Sequence, residues 1–270
     1  MDLPRSTRRG HRAAAALLLW AGAGCAGAPD EGPAPPRPME FDHVVVLVSD
    51  EELERWLSEF LTPAAALETR HDGQGTRGRY FLLLDAFVEL LSLEDPAEVR
   101  ENVEEFGSDY AVRWSAAANA SPFAVGLTVD SIDPATAPFP AIVYRSQGGG
   151  AYLMARGNVD AAAPLVYATD PSRAYRRRAS IDEVDSIEDP ARREEVRRYL
   201  THPAGMERLT RVVLTVPVGD GDLPNARLLD ALDRVEVVEG AAHHLLLELD
   251  RGASGRTREF RGQPAVTLRY

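Results

Sequence analysis

Two residues in the first third of the chain, His43 and Glu89, are of types that transfer protons or bind metal ions. His43 lies in the β-rich run 41–48 (FDHVVVLV), and Glu89 lies in the apolar run 87–91 (FVELL). An imidazole and a carboxylate on neighbouring strands can share one sheet face, where they suit Fe, Mn, Ni or Zn, or act as acid and base. Burying an acid without a partner is expensive, so Glu89 is the more informative of the two.

A tight metal site needs a further ligand, because catalytic zinc and the non-haem iron triad both use three protein ligands. His71 and His202 are the two candidates. His71 opens the turn-rich segment 71–76 (HDGQGT), and His202 precedes a proline. With Thr76 and Arg79, these two histidines are also predicted to contact a substrate.

Each of these residues has a simpler structural interpretation as well. His43 can be a half-buried strand histidine bonded to a neighbour, and Glu89 an acid paired with Arg77 or Arg79. The other two histidines can be a loop residue beside turn glycines and a residue that ends a helix before a proline.

The composition excludes several kinds of chemistry. All thirty basic residues are Arg, so the chain has neither a Schiff-base lysine nor a Walker P-loop. A net charge of -12 argues against a nucleic-acid partner, because phosphate binding relies on clustered cations. The chain also lacks a Gly-x-Ser-x-Gly elbow and a His-Glu-x-x-His motif.

The elements that must position these residues follow the order βαβββ. A β-rich run is followed by an amphipathic helix, then by a short extended run and two further strands. The predicted ranges are 41–48, 51–61, 65–69, 79–84 and 87–93.

Two further copies of this order follow, and internal repetition predicts stacked equivalent units. The second copy has a strand, a short helical or turn segment and three strands, at 123–129, 130–139, 141–145, 151–155 and 164–168. The third copy is looser, with a strand, a helix and three strands at 210–216, 223–232, 235–238, 243–249 and 265–269. A charged segment between them, 180–200, predicts a connecting helix at 190–200.

Several motifs occur in an order that resembles the glyoxalase-like domain proteins of the vicinal oxygen chelate superfamily. They are FDHVV at 41–45, HxGxGT at 71–76, FVELL at 87–91 and HPxG at 202–205. The resemblance implies an α+β fold in which repeated βαβββ modules form an open, curved mixed sheet, here with a third, looser C-terminal module. It also implies a divalent metal on the concave face, with His43 and Glu89 at the two ligand positions of module one and acting as the catalytic residues.

The other modules depart from the family's ligand pattern. In module two the corresponding positions hold Phe123 and, approximately, Val166, neither of which can bind a metal. In the third copy, Arg211 aligns with His43, and Thr267 aligns roughly with Glu89.

The N-terminus resembles a bacterial export signal. Residues 1–24 have a basic start, an apolar run and small residues before Cys25, which is the only cysteine and so excludes an intrachain disulfide. Cys25 is predicted to be lipidated and to anchor the protein in a membrane, in the periplasm or at the cell surface. A conventional signal with an incidental cysteine, or a twin-arginine signal at Arg8 and Arg9, are the alternatives. The Pro-rich segment that follows Cys25, up to residue 38, predicts a tether.

The predicted organisation is a signal peptide, a lipidated tether, two modules, a charged helical connector and a looser module, at 1–24, 25–38, 39–95, 120–170, 171–205 and 206–270. The predicted function is binding of a small oxygen-bearing molecule, with the activity of a metal-dependent lyase, isomerase or dioxygenase. The alternative is a lipoprotein of the same fold that sequesters a small molecule without turning it over. A third hypothesis is a structural lipoprotein that forms a homodimer through its third module.

Overall fold

The computed structural model describes residues 39–49, 51–101, 110–115, 119–217 and 223–270. The predicted export signal, Cys25 and the tether lie outside these residues and remain predictions. Within these ranges, no helix is both long and apolar enough to cross a membrane.

The first sheet of the described residues contains eight strands in the order β2-β3-β4-β1-β5-β8-β7-β6. Their bounds are β1 Glu40–Val48, β2 Thr69–His71, β3 Thr76–Leu82, β4 Phe87–Leu93, β5 Phe123–Thr128, β6 Ala141–Arg145, β7 Ala151–Ala155 and β8 Leu165–Thr169. β1 runs parallel to β4, and β5 runs parallel to β8. The antiparallel pair β1 and β5 joins the two halves.

This strand order confirms the predicted α+β fold built from paired βαβββ modules. In each half the first strand pairs with the last, and the hairpin between them extends the sheet outward. Module two lacks the helix, because residues 130–139 form turns and bends around prolines.

The second sheet, again counted over the described residues, contains five strands in the order β10-β9-β11-β13-β12. Their bounds are β9 Leu209–Pro217, β10 Val235–Gly240, β11 His244–Leu249, β12 Thr257–Phe260 and β13 Ala265–Arg269. Successive pairs are parallel, antiparallel, parallel and antiparallel, as in β4-β1-β5-β8-β7 of the first sheet. The C-terminal unit therefore repeats the centre of the first sheet as two shortened modules, whereas the sequence indicated one loose module.

In the part of the chain that the structure describes, four α-helices accompany the sheets: α1 Glu52–Leu57, α2 Pro96–Glu101, α3 Pro190–Leu200 and α4 Pro224–Asp230. Helix α3 is the predicted connecting helix. It begins after Asp189, whose side chain accepts hydrogen bonds from the amides of Ala191 and Arg192. Val196 and Leu200 on this helix are buried.

The two faces of the first sheet bury different sets of residues, because successive side chains of a strand point to opposite faces. On the outer face, Val44 and Val46 belong to a core shared with α1 and the second sheet. On the inner face, Val45 and Leu47 pack with residues of β4 to β8, Val99 of α2 and Trp114. His43 and Glu89 lie in register with this inner set.

Arg113 holds the chain between the two modules. It is 2% exposed, and its guanidinium donates hydrogen bonds to five backbone carbonyl oxygens. Four of these carbonyls belong to the segment from Asn158 to Ala163, so one side chain ties the turn before β8 to the start of β5.

Candidate functional site

Strand β1 has a β-bulge at Asp42, next to His43. Phe41 pairs with Leu127 and His43 with Gly126, so the register between β1 and β5 shifts at Asp42. In a regular strand, adjacent side chains point to opposite faces. The bulge instead lets the carboxylate of Asp42 reach the ring of His43, as bulges beside functional sites often re-aim a side chain.

Asp42, His43 and Tyr167 form a buried hydrogen-bonded chain. Oδ2 of Asp42 lies 2.7 Å from Nδ1 of His43, and Nε2 of His43 lies 2.5 Å from the hydroxyl of Tyr167 on β8. A carboxylate can only accept, so a neutral His43 carries its proton on Nδ1 and accepts at Nε2 from Tyr167. Asp42 is itself held by the amide of Tyr175, at 2.8 Å.

The ring of His43 is fixed from both sides. Phe87 stacks on it, with the ring centroids 4.0 Å apart and the planes inclined by 13°. On the neighbouring strand β5, a Cβ added at Gly126 would collide with the imidazole. Glycine at this position is therefore required for His43 to lie flat against the inner face.

Glu89 lies between two imidazoles. Its Oε2 is 3.7 Å from Nε2 of His43, and its Oε1 is 3.9 Å from Nε2 of His71. Glu89 is 6% exposed and also hydrogen-bonds the hydroxyl of Tyr80, its direct partner on β3. A Cβ at Gly78 would collide with both Tyr80 and Glu89, so this glycine makes room for the contact.

His71 is oriented by two hydroxyl groups. Its Nδ1 lies 3.0 Å from Oγ1 of Thr76, and its Nε2 lies 3.2 Å from the hydroxyl of Tyr80. Thr76 is buried, so this predicted substrate-contact residue instead orients the histidine.

Two tyrosines of the inner face are held in their neutral form. Burial raises the pKa of Tyr80 strongly, and the nearby Glu89 charge and hydrogen bond raise it further. Burial also raises the pKa of Tyr152, where Arg173 opposes the shift and Glu89 adds to it. Both phenols therefore remain hydrogen-bond donors across the physiological pH range.

Two of the predicted substrate contacts lie elsewhere, and Arg79 is the first of them. It sits one residue from Tyr80 and points to the opposite face of β3, where it pairs with Glu54 at 2.9 Å and Glu51 at 3.2 Å. Arg79 therefore does not pair with Glu89, and neither does Arg77, whose partners are two other glutamates, Glu68 and Glu94.

His202, the second of them, serves the backbone. Its Nδ1 accepts from the amide of Thr62 at 3.0 Å, and its Nε2 donates to the carbonyl of Leu82 at 2.8 Å. Burial lowers its pKa to about 4. Since both ring nitrogens are engaged with backbone groups, this histidine is not placed to join His43 and Glu89.

Module two contributes Tyr167 of β8 to the site, whereas alignment of the repeats pointed to Val166, the residue before it. Phe123 and Val166, taken from the sequence as the counterparts of His43 and Glu89, both lie in the outer-face core. The inner face carries an apolar pair, Ala124 and Leu165, with Tyr167 two residues farther along β8. A one-residue difference in register exchanges the two faces of a strand.

The second sheet places the counterpart of Glu89 at Glu236. Val213 on β9 pairs with Glu236 on β10, as Val45 on β1 pairs with Glu89 on β4. Arg211 keeps its predicted place as the counterpart of His43, two residues before Val213, and it forms an ion pair with Glu236. Thr267 was the wrong counterpart, because it lies on β13, which corresponds to β8 in the strand order.

The side chains present do not fit the divalent metal that the resemblance implies. Among the described residues, no group of three or more His, Cys, Asp or Glu side chains could hold an ion. His43 and His71 approach different oxygens of Glu89, and each imidazole already has hydrogen-bond partners on both nitrogens. The arrangement is a network of hydrogen bonds.

Three residues of this network, Asp42, Tyr80 and Tyr167, were not predicted from the sequence. Asp42 adjoins His43, but strand alternation predicts that it points away, and only the bulge reverses this. Tyr80 could have been predicted, because it lies on β3 directly across from Glu89 on β4, and cross-strand partners point to the same face of the sheet. Tyr167 lies 124 residues from His43 and depends on the strand register.

Comparisons with known proteins find structural similarity only. No family model and no curated protein matches the chain. A hypothetical protein from Staphylococcus aureus is similar with a TM-score of 0.48 and 10% identity, over 85% of this chain and 98% of that one. Methylmalonyl-CoA epimerase from Mycobacterium tuberculosis has a TM-score of 0.32 and 14% identity, over 49% and 87% of the two chains.

A xylose isomerase-like TIM barrel/4-hydroxyphenylpyruvate dioxygenase fusion protein has a TM-score of 0.39 and 12% identity, over 80% of this chain and 37% of that one. At these TM-scores the fold assignment rests on the strand order and pairing of the chain itself.

Proposed function

We propose that this chain binds a small oxygen-bearing molecule on the inner face of its first sheet and transfers a proton on it, as an isomerase or lyase does. The observation that carries the proposal is the carboxylate of Glu89, buried between His43 and His71 and bonded to the phenol of Tyr80. Ionisable groups gathered in a water-poor site are characteristic of functional sites.

The residues of the site have three roles, as a base, a hydrogen-bond donor and positioning groups. Glu89 takes a proton from a carbon next to a carbonyl group, and the electron pair of the broken C–H bond moves onto the carbonyl oxygen as an enolate. The neutral phenol of Tyr80 turns its single proton from Glu89 to that oxygen and donates a hydrogen bond to it. Tyr167 donates its own proton to Nε2 of His43, so Asp42, His43 and Tyr167 hold one another in place beside Glu89. Delivery of the proton from Glu89 to a different atom of the enolate completes an isomerisation.

Deuterium exchange tests this proposal without knowledge of the natural substrate. Butanone and methyl 5-oxohexanoate are incubated in D2O with the protein, and loss of their α-protons is followed by proton NMR. We expect acceleration over buffer that Glu89→Gln reduces by about 10²-fold or more. The matched control is Glu259→Gln, on the exposed part of the second sheet. Exchange that is equal in buffer, wild type and Glu89→Gln would contradict the proposal.

A second candidate is a binding protein that holds its ligand without turnover. The inner positions Ala124 and Leu165 favour it, because they are apolar where a second set of ionisable groups would lie in a symmetric site. A ketone that raises the melting temperature of the protein without gaining deuterium would support this candidate over the enzyme.

We propose further that the protein is exported and anchored through a lipid on Cys25. The support is the sequence of residues 1–25, with a basic start, an apolar run and small residues before the cysteine. Expression of the full chain in a bacterium fed radiolabelled palmitate tests this. Label in wild type and none in Cys25→Ala is the expected result, and an unlabelled wild type would contradict it.

A further inference from the structure

The segment from Asp170 to Tyr175 lies along one end of the candidate site. It begins directly after Thr169, the last residue of β8, the strand that also carries Tyr167. At its start, the carboxylate of Asp170 accepts a hydrogen bond from the amide of Ser172 at 2.8 Å, which fixes the turn out of the strand.

The far end of this segment is tied to the bulge in β1. The amide of Tyr175 donates to Oδ1 of Asp42 at 2.8 Å, and Oδ2 of the same carboxylate contacts His43. The segment therefore joins the strand that carries Tyr167 to the bulge that orients His43.

Arg173 extends from this segment over the inner face. Its guanidinium carbon lies 5.6 Å from the ring centroid of Tyr152 on β7. Tyr152 in turn lies 6.1 Å from Tyr167, centroid to centroid. The charges of Arg173 and Glu89 both act on the pKa of the Tyr152 hydroxyl, in opposite directions, so both groups lie close enough to this residue to influence it.

A glycine in the backbone beside Arg173 leaves room for its guanidinium. A Cβ added at Gly150, just before β7, would collide with Nη1 of Arg173 and with the ring of Tyr152. Absence of a side chain at Gly150 lets the guanidinium lie close to the main chain, as glycine does where a group must approach the backbone.

Arg173 is half-buried, and no acidic side chain of the described residues pairs with its guanidinium. Arg79 and Arg77, by contrast, are each paired with two or more carboxylates. In a chain with 42 acidic and 30 basic residues, a half-buried arginine that none of the described carboxylates pairs with is available to a ligand. The planar guanidinium binds a carboxylate through two parallel hydrogen bonds.

We infer that Arg173 forms an anion subsite beside the candidate proton-transfer site, and that the ligand is an oxo acid whose carboxylate binds Arg173 while its carbonyl group reaches Tyr80 beside Glu89. The body of such a ligand crosses the ring of Tyr152, which offers it an apolar surface. This inference rests on the proposed function, because it assigns the carbonyl end of the ligand to the site of Glu89.

Keto acids of increasing chain length, from pyruvate to 7-oxooctanoate, are the probes, each with its neutral methyl ester. Dissociation constants are measured by isothermal titration calorimetry with wild type, Arg173→Met and Arg145→Met. Arg145 is the matched control, an exposed arginine at the end of the neighbouring strand β6. We expect at least one acid to bind wild type and Arg145→Met about tenfold more tightly than its ester, and Arg173→Met to lose this preference.

Equal affinity of wild type for every acid and its ester, absence of binding by all the acids, or a preference that persists in Arg173→Met would each overturn the inference. The proposed function is judged separately, by deuterium exchange on the neutral methyl ester. Exchange that depends on Glu89 leaves the proton-transfer site standing even when the acids show no preference.

Discussion

The carboxylate of Asp42 lies 2.7 Å from Nδ1 of His43, although the two residues are neighbours in one strand. The bulge in β1 makes this contact, and the contact fixes which ring nitrogen carries the proton. It leaves Nε2 to accept a hydrogen bond from Tyr167, so the orientation of a phenol in module two depends on a backbone irregularity in module one.

Asp42→Asn is expected to reverse this tautomer. The amide group of asparagine can donate to Nδ1, which moves the ring proton to Nε2 and breaks the acceptance from Tyr167. The new N–H lies 3.7 Å from Oε2 of Glu89, where it weakens this carboxylate as a base. Long-range proton–nitrogen NMR spectra of the His43 ring should show the change, and deuterium exchange should fall by about 10²-fold. An unchanged ring spectrum in Asp42→Asn would contradict the assigned tautomer.

Gly126→Ala is expected to displace the ring of His43, because the added methyl group would occupy its position. We expect deuterium exchange to fall by about 10²-fold, since displacements of about 1 Å at a catalytic group have effects of this size. Gly148→Ala is the control, because a Cβ there would meet nothing closer than 3.9 Å. Equal exchange by both variants would show that the flat position of His43 is not needed.

Because His202 is buried, we expect the free energy of unfolding to fall in mild acid. Its pKa is lowered from 6.5 to about 4 in the folded protein, so the unfolded chain takes up the proton first. The stabilisation is complete above pH 6.5 and is lost as the pH falls towards 4, by about 3 kcal/mol at most. Urea unfolding of wild type and His202→Gln measures this effect.

Carboxylates also become protonated in this range, but they do so in both proteins. The difference in unfolding free energy between wild type and His202→Gln should therefore shrink as the pH falls from 6.5 to 4. A difference that stays constant across this range would show that protonation of His202 is not coupled to unfolding.

Arg113→Lys is expected to destabilise the fold by about 2 to 4 kcal/mol. Lysine has three donors on a flexible stem and cannot reach the five carbonyls that the guanidinium binds. Arg156→Lys is the control, because Arg156 lies exposed near the same turn. Urea unfolding that gives the same free energy for both variants would contradict the structural role of Arg113.

Metal removal should leave the proton transfer intact, because the imidazoles and the carboxylate of the site are engaged with one another and with hydroxyl groups. Dialysis against EDTA is expected to change neither the rate of deuterium exchange nor the melting temperature. One tightly bound metal ion per chain, lost in Glu89→Gln, would overturn this expectation.

Much of the first sheet could be predicted from the sequence, but less of the site. The periodicity of apolar residues located β1, α1 and β4, and it placed His43 and Glu89 on neighbouring strands. These are local patterns of spacing and turn residues, which a single sequence can carry. The alternative pairing of Glu89 with Arg79 failed because the two residues point to opposite faces of neighbouring strands.

The rest depended on contacts between distant parts of the chain. Tyr167 reaches His43 only because β5 brings β8 beside β1 in one particular register. Alignment of the repeats pointed to Val166, one residue away, and so to the outer face. The order of the second sheet was similarly hidden, because its modules are shortened and β12 carries no apolar alternation.

The second sheet repeats the strand order at the centre of the first sheet, and the two sheets should tolerate amino-acid substitutions differently. Arg211 and Glu236 pair on the exposed face of the second sheet, where the first sheet carries His43 and Glu89. Because this ion pair is exposed, it adds little stability, and the unit is constrained chiefly by its packing. Substitutions on its exposed face should therefore accumulate freely, while those at Val212, which faces the shared interior, should be rare. The two halves of one chain are then expected to diverge at different rates.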